Sequence, residues 1–219
     1  MFYRFLISVV VSVFLISTPA YAGFEEGKTA YDKKDWLQAM IHLRPLEIQG
    51  HDEAQLLMGN MYSNGWGVKR NYKEAFSLYR KSARKGNADA MIAAGTLLLT
   101  GNGPKADKDA AYDWFHQAAQ FNKLVAQFTV GTLLLQKYGK SGSDDDLYEA
   151  YKWFRIASLH QPPNKVTNAA KNLATTMVAE EMDTSDVERA EKEVSEWLPI
   201  TKEQYLEYKK KKTLEPKEE

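Results

Sequence analysis

Apolar residues recur through the middle of this chain at the spacing of one helix face. Ala75, Leu78, Tyr79 and Ala83 fall three or four positions apart, which lines them up on a single stripe of an α-helix. The stripe returns. Ala75, Tyr79 and Ala83 recur 36 residues later as Ala111, Phe115 and Ala119, and again 39 residues further on as Ala150, Phe154 and Ser158. A second, more N-terminal set has the same period: Ala54, Ala90 and Ala126, with Gly59, Gly95 and Gly131. Each unit therefore reads as two helices. The first covers Ala54 to Tyr62, Ala90 to Leu98 and Ala126 to Leu134. It is stopped by Gly65-Trp66-Gly67 and Gly101-Asn102-Gly103, which supply positive φ angles. The extra residues of the third unit are expected in a loop, Gly139-Lys140-Ser141-Gly142-Ser143, where insertion adds little closure entropy.

Polar residues mark the second helix. Asn71, Asp107 and Asp146 share one repeat position and are read as N-caps, with Glu74 and Glu149 completing capping boxes. A glycine in mid-helix costs about 0.5–1 kcal/mol against alanine. Three of them at one register imply that two helix backbones approach closely. The pattern extends outward in weaker form. Phe24 to Lys33 and the stretch with Asp35-Trp36, Ala39, Leu43 and Gly50 make an opening hairpin, with Pro45 bending its second helix. Beyond Pro162-Pro163, Val166 to Met182 and Val187 to Trp197 read as closing helices, the second with a Ser185-Asp186-Val187-Glu188 capping box. The expected organisation is an opening hairpin over 23–53 and three repeats over 54–164 (54–89, 90–125 and 126–164). Capping helices follow over 165–200, then a charged, partly disordered tail over 201–219. The fold class is all-α, an α/α solenoid of stacked antiparallel helix pairs.

Ala54, Gly59, Tyr62, Gly65, Gly67, Val68, Asn71, Ala75, Tyr79, Ala83 and Gly86 together resemble the Sel-one-like repeat family, close kin of tetratricopeptide repeats. The second copy has Leu98 for the tyrosine and Pro104 for the valine, and the third loses the paired loop glycines. His42-Leu43-Arg44-Pro45-Leu46 followed by Gly50-His51 is also similar to the family's common opening unit. The resemblance covers about Phe24 to Trp197 and implies the superhelical fold. For function it implies only a partner-holding scaffold.

Composition narrows the picture. The 29 basic and 29 acidic side chains cancel, which argues against the basic surface a nucleic-acid partner needs. With no cysteine there are no disulfides, thiolate metal sites, cysteine nucleophile or lipoprotein anchor. The N-terminus reads as a signal peptide over 1–22. Arg4 is followed by the apolar run Phe5 to Ile16, the break Ser17-Thr18-Pro19 and the small-x-small pattern Ala20-Tyr21-Ala22. That run is shorter than the ~20 residues that span a bilayer, so the expectation is a periplasmic or secreted protein beginning at Gly23, without an integral span; the alternative is an uncleaved N-terminal anchor.

Catalytic motifs are not evident. Gly139-Lys140-Ser141 lacks the upstream glycine of a phosphate loop, since position 134 is leucine. Asp144-Asp145-Asp146 reads as an acidic helix N-terminus favoured by the dipole. The histidines at 42, 51, 116 and 160 have no metal-ligand spacing. No cofactor, metal or catalytic residue is assigned. Trp114 and Trp153 read as core.

If partners dock on the first helices, the residues facing away from the core carry them. Those are an apolar row of Leu56, Ile92 and Phe128, a polar row of Asn60, Thr96 and Thr132, and Ser63, Leu99 and Leu135. Trp66, in a loop between two glycines, is the aromatic expected at the surface. The alternative is that the apolar row packs against neighbouring helices. The leading functional expectation is a non-catalytic scaffold or adaptor of the cell envelope with a protein or peptide partner. A hydrolase acting on cell wall or β-lactams and an exported effector binding host proteins stay open. The hydrolase requires an ionisable cluster in a cleft.

Overall fold

The computed structural model describes residues 19–214, so the proposed signal segment lies mostly outside the described residues. Eleven helices follow one another in the described part; the first nine pack in succession, each on the next, and the tenth packs on the eighth. The opening hairpin is α1 (Pro19–Asp32) and α2 (Trp36–Ile48). The three repeats are α3 (Asp52–Asn64) with α4 (Tyr72–Arg84), α5 (Ala88–Thr100) with α6 (Lys108–Ala119), and α7 (Leu124–Ser141) with α8 (Asp144–Ser158). Then come α9 (Lys165–Glu180), α10 (Thr184–Glu196) and α11 (Lys202–Leu214).

The alanines that define the period are the centre of each unit. Ala54, Ala75, Ala90, Ala111, Ala126 and Ala150 are fully buried. Between them sit the glycines. A Cβ on Gly59 would lie 2.6 Å from the Tyr79 ring, on Gly95 2.8 Å from Phe115, and on Gly131 2.9 Å from Phe154. The close approach is thus of an aromatic ring onto a helix backbone, not of two backbones. The opening hairpin repeats the device with Leu43 against Gly27.

Capping follows the period as well. The side chains of Asp35, Asn71 and Asp107 accept from the backbone N–H of Gln38, Glu74 and Ala110. His51 and Asn87 do the same for α3 and α5. The intra-repeat loops then fold back on the preceding unit. A Cβ on Gly67 would lie 2.6 Å from the Trp36 side chain, and one on Gly103 2.7 Å from the Tyr72 carbonyl.

The third unit departs from expectation. Residues 139–141 are not loop: α7 continues to Ser141 and ends at Gly142 in the left-handed conformation. The connection shrinks to 142–143, and α8 starts at Asp144. Asp146 is therefore not an N-cap. It lies within the first turn, buried, where its carboxylate accepts from Lys137 Nζ at 2.8 Å and from Ser141 Oγ at 3.2 Å. Three first-turn carboxylates, Asp144, Asp145 and Asp146, suit the positive end of the helix dipole. Glu149 pairs with Lys152 instead of closing a capping box.

Two further boundaries move. α10 is capped by Asp183, which accepts from the Asp186 N–H, so the helix begins before the Ser185 box. Residues 202–214, expected as solvated tail, form α11. The physical reason is Tyr205, which is buried against the repeats and fixes the first turn there.

Candidate partner-binding surface

The apolar row on the first helices is half-buried. Leu56, Ile92, Leu99, Phe128 and Leu135 pack against the main core cluster, and Phe128 meets Phe154 edge-on with ring centres 5.7 Å apart. Phe128 thus meets the second helix of its own unit, and the row is not turned fully to solvent.

The polar row is occupied internally. Asn60 Oδ1 accepts from the Tyr79 hydroxyl at 2.8 Å. Thr96 and Thr132 donate to the carbonyls of Ile92 and Phe128 within their own helices. Ser63 is half-buried beside them. Trp66 is covered rather than exposed: it stacks on Trp36 at 4.9 Å and meets Tyr31 edge-on at 5.9 Å. The Gly67 fold-back that brings the loop onto Trp36 is what carries Trp66 there.

Large exposed apolar residues lie elsewhere, on α2. Leu37, Ile41 and Ile48 are 67%, 53% and 72% exposed. Their spacing places them along one side of the helix. At the same repeat register α4 carries Lys73, Ser77 and Arg84, and α6 carries Asp109, Asp113 and Gln120. Only α2 of these three second helices has an apolar outer face. Comparison of repeat positions in the sequence is the signal that distinguishes this face.

A cleft of about 370 Å³ opens between α6, α7 and α8. Leu133, Leu134 and Tyr112 form apolar lining, ringed by Lys108, Asp109, Asp113, Lys137, Lys140, Asp145 and Glu149. Its origin is the missing turn in the third unit. Gly67 and Gly103 fold back onto Trp36 and Tyr72, whereas a Cβ on Gly139 would meet nothing within 4 Å. The start of α6 at Lys108 is consequently left open. Burial, and then the nearby carboxylates, push the Tyr112 phenol up. His116 stacks on Tyr112 at 5.6 Å, and burial holds its imidazole below the usual histidine range. The lining holds carboxylates and a protonated phenol but no serine or cysteine. Among the described residues no group of three or more His, Asp or Glu is placed to hold a metal ion. No described helix is long and apolar enough to cross a membrane.

The stacked hairpins and their extended surfaces define an α/α solenoid repeat protein. A family model described as Sel1 repeat matches residues 52–87, 88–120 and 124–161, and the chain belongs to that family of Sel1-like repeat proteins. The crystal structure of a Sel1 repeat protein from Oxalobacter formigenes is similar, with a TM-score of 0.63 and 29% identity. That match covers 72% of this chain and 61% of the other. A protective antigen of uropathogenic Escherichia coli displaying an SLR fold is 21% identical, with a TM-score of 0.46, over 91% of this chain and 49% of that one. The chain thus spans less than two thirds of either solved protein. No curated protein matches it. The family points to a protein-interaction scaffold, and proteins built of these repeats are generally non-catalytic.

Proposed function

We propose that this protein is an exported scaffold that holds a protein partner in the cell envelope, using the apolar face of α2 as an anchor. The observation that carries the reading is the joint exposure of Leu37, Ile41 and Ile48 along one side of α2, at positions where α4 and α6 are polar. Contiguous exposed apolar surface on a folded protein marks an interaction site. The partner is a protein because the surface is a helix face without a pocket, suited to a second helix laid along it. Export rests on the Phe5–Ile16 run and the Ala20-Tyr21-Ala22 pattern.

A photo-crosslinking residue at position 41, with one at position 77 as the matched control in α4, tests the scaffold reading in living cells. Specific adducts at 41 and none at 77 are expected. Adducts at neither would sink the reading. Fractionation with N-terminal sequencing tests export, with Gly23 as the expected first residue.

The cleft between α6 and α8 supports a second reading, a hydrolase working through its carboxylates. Asp113→Asn and Glu149→Gln would then abolish turnover of a cell-wall peptide or β-lactam while leaving position-41 crosslinks intact.

A further inference from the structure

The connection after α10 does not leave the molecule. Trp197 meets Trp153 of α8 edge-on, with ring centres 6.4 Å apart. The Ile200 N–H donates to the Gln120 carbonyl at the end of α6, at 2.9 Å. Lys202 Nζ reaches Asp52 in the first turn of α3, at 2.6 Å. Tyr205 is 3% exposed; its hydroxyl donates to Gln117 Oε1, and its ring lies against Phe121, with centres 5.3 Å apart. Gly86, in the turn between α4 and α5, lets that ring in, since a Cβ there would be 3.3 Å from it. A segment of nine residues thereby touches all three repeats.

Past Tyr205, Leu206 is 41% and Tyr208 57% exposed, and Lys209 folds back over the Tyr205 ring at 5.6 Å. Beneath the segment, Trp153 keeps a buried indole N–H without an acceptor among the described residues. The attachment resembles a docked peptide: one backbone bond to an open helix-end carbonyl, one charge pair and one aromatic plug.

We infer that the groove formed by Asp52, Gly86, Gln117, Gln120 and Phe121 is a peptide-recognition surface, and that residues 200–205 are its resident ligand. The partner it fits is a helix-starting segment of another protein with the pattern Ile-x-Lys-x-x-Tyr, which displaces the tail. The lysine answers Asp52, the tyrosine fills the space over Gly86, and the apolar residue brings its N–H to Gln120. A tethered segment competes at an effective concentration of about millimolar, so the tail masks the groove from weak ligands and yields to strong ones. This surface is separate from α2 and does not depend on the reading given to that face.

The probe is a fluorescein-labelled peptide with the sequence of residues 200–212, titrated against the full chain by anisotropy. Lys202→Glu with Tyr205→Ser releases the tail and should bind the peptide at least tenfold more tightly than the unaltered chain. Adding Asp52→Lys should reverse the gain, and a peptide carrying glutamate at its third position should restore it. A released variant that keeps its helical spectrum but binds no better than the unaltered chain overturns the proposal and makes the segment a fixed cap. Hydrogen exchange on the unaltered chain decides the matter if the variant does not fold. Amides of α11 should exchange at least tenfold faster than those of α8, and equal protection also overturns it. Neither result moves the position-41 crosslinks.

Discussion

Position 79 is tyrosine where its counterparts, Phe115 and Phe154, carry no hydroxyl, and that one oxygen is answered on the facing helix. Asn60 Oδ1 accepts from Tyr79 at 2.8 Å, while the residues at the same register in the other copies, Thr96 and Thr132, bond to their own helices. Burial pushes the Tyr79 phenol up to about 12, so it remains a donor throughout the physiological range. The two positions vary together because a buried hydroxyl without a partner costs about 1–3 kcal/mol. Tyr79→Phe alone removes one partner of the Asn60 side chain, which keeps Tyr31, and Asn60→Thr alone leaves the phenol with Ser63. Each should lower the melting temperature measurably. The double variant, which copies the second repeat, should recover most of that loss in a thermal-denaturation cycle. Additive losses would show that the two residues act independently. Asn60 was legible as a position on the first helix but not as a partner of Tyr79. A repeat alignment records which residue recurs, not which departures compensate one another across a helix pair.

At the scale of elements, the period located every helix of the three repeats and misjudged one connection. Glycine and serine over 139–143 look like a loop because each is a poor helix former. The helix persists because Ser141 Oγ donates to the Lys137 carbonyl, Lys137 pairs with Asp146, and Gly142 closes the end in the left-handed conformation. The contacts to Asp146 join residues on both sides of the connection, which the repeat period does not display. The same displacement creates the cleft at Lys108. Two glycines of similar appearance then have opposite roles. Gly139→Ala adds a methyl group to open space in a helix and should stabilise the protein by about 0.5–1 kcal/mol. Gly95→Ala drives a Cβ to 2.8 Å from the Phe115 ring and should destabilise it by about 1–3 kcal/mol, despite the better helix propensity. Urea denaturation of both variants checks the pair. Shifts of the same sign would refute the assignment of Gly139 to an open helix surface and of Gly95 to a packed one.

Across the whole molecule, charge is unevenly used, and this sets how the solenoid should respond to acid. His116 lies on α6 beside Trp153. His160, after α8, meets Gln127 Oε1 at 2.7 Å. Gln127 gives its own amide N–H to the Ala119 carbonyl, so its oxygen is the acceptor and His160 must hold its proton on Nε2. Burial lowers both histidines from 6.5. As pH falls through about 6.5 the unfolded chain takes up protons that the native protein still refuses, so stability declines from there downward. Farther along, Arg155 holds Glu191 and Lys152 holds Glu193 below the ordinary value of 4.5, fastening α10 to α8. Their contribution is present above about 4.5 and is lost as pH falls through the lowered native values, so the sign is the same. Melting temperatures measured from pH 7.5 to 3.5 should therefore fall in two stages. His116→Phe with His160→Gln should flatten the upper stage, and Glu191→Gln the lower one. In a stack where each unit touches mainly its neighbours, the loss should also be local. Hydrogen exchange at pH 5 should show α6 to α9 losing protection while α3 and α4 keep theirs. A melting curve that is level or rises toward acid would mean that the histidines are not held neutral. A uniform loss of protection would mean that the repeats unfold as one unit, and the solenoid would then be cooperative over its whole length.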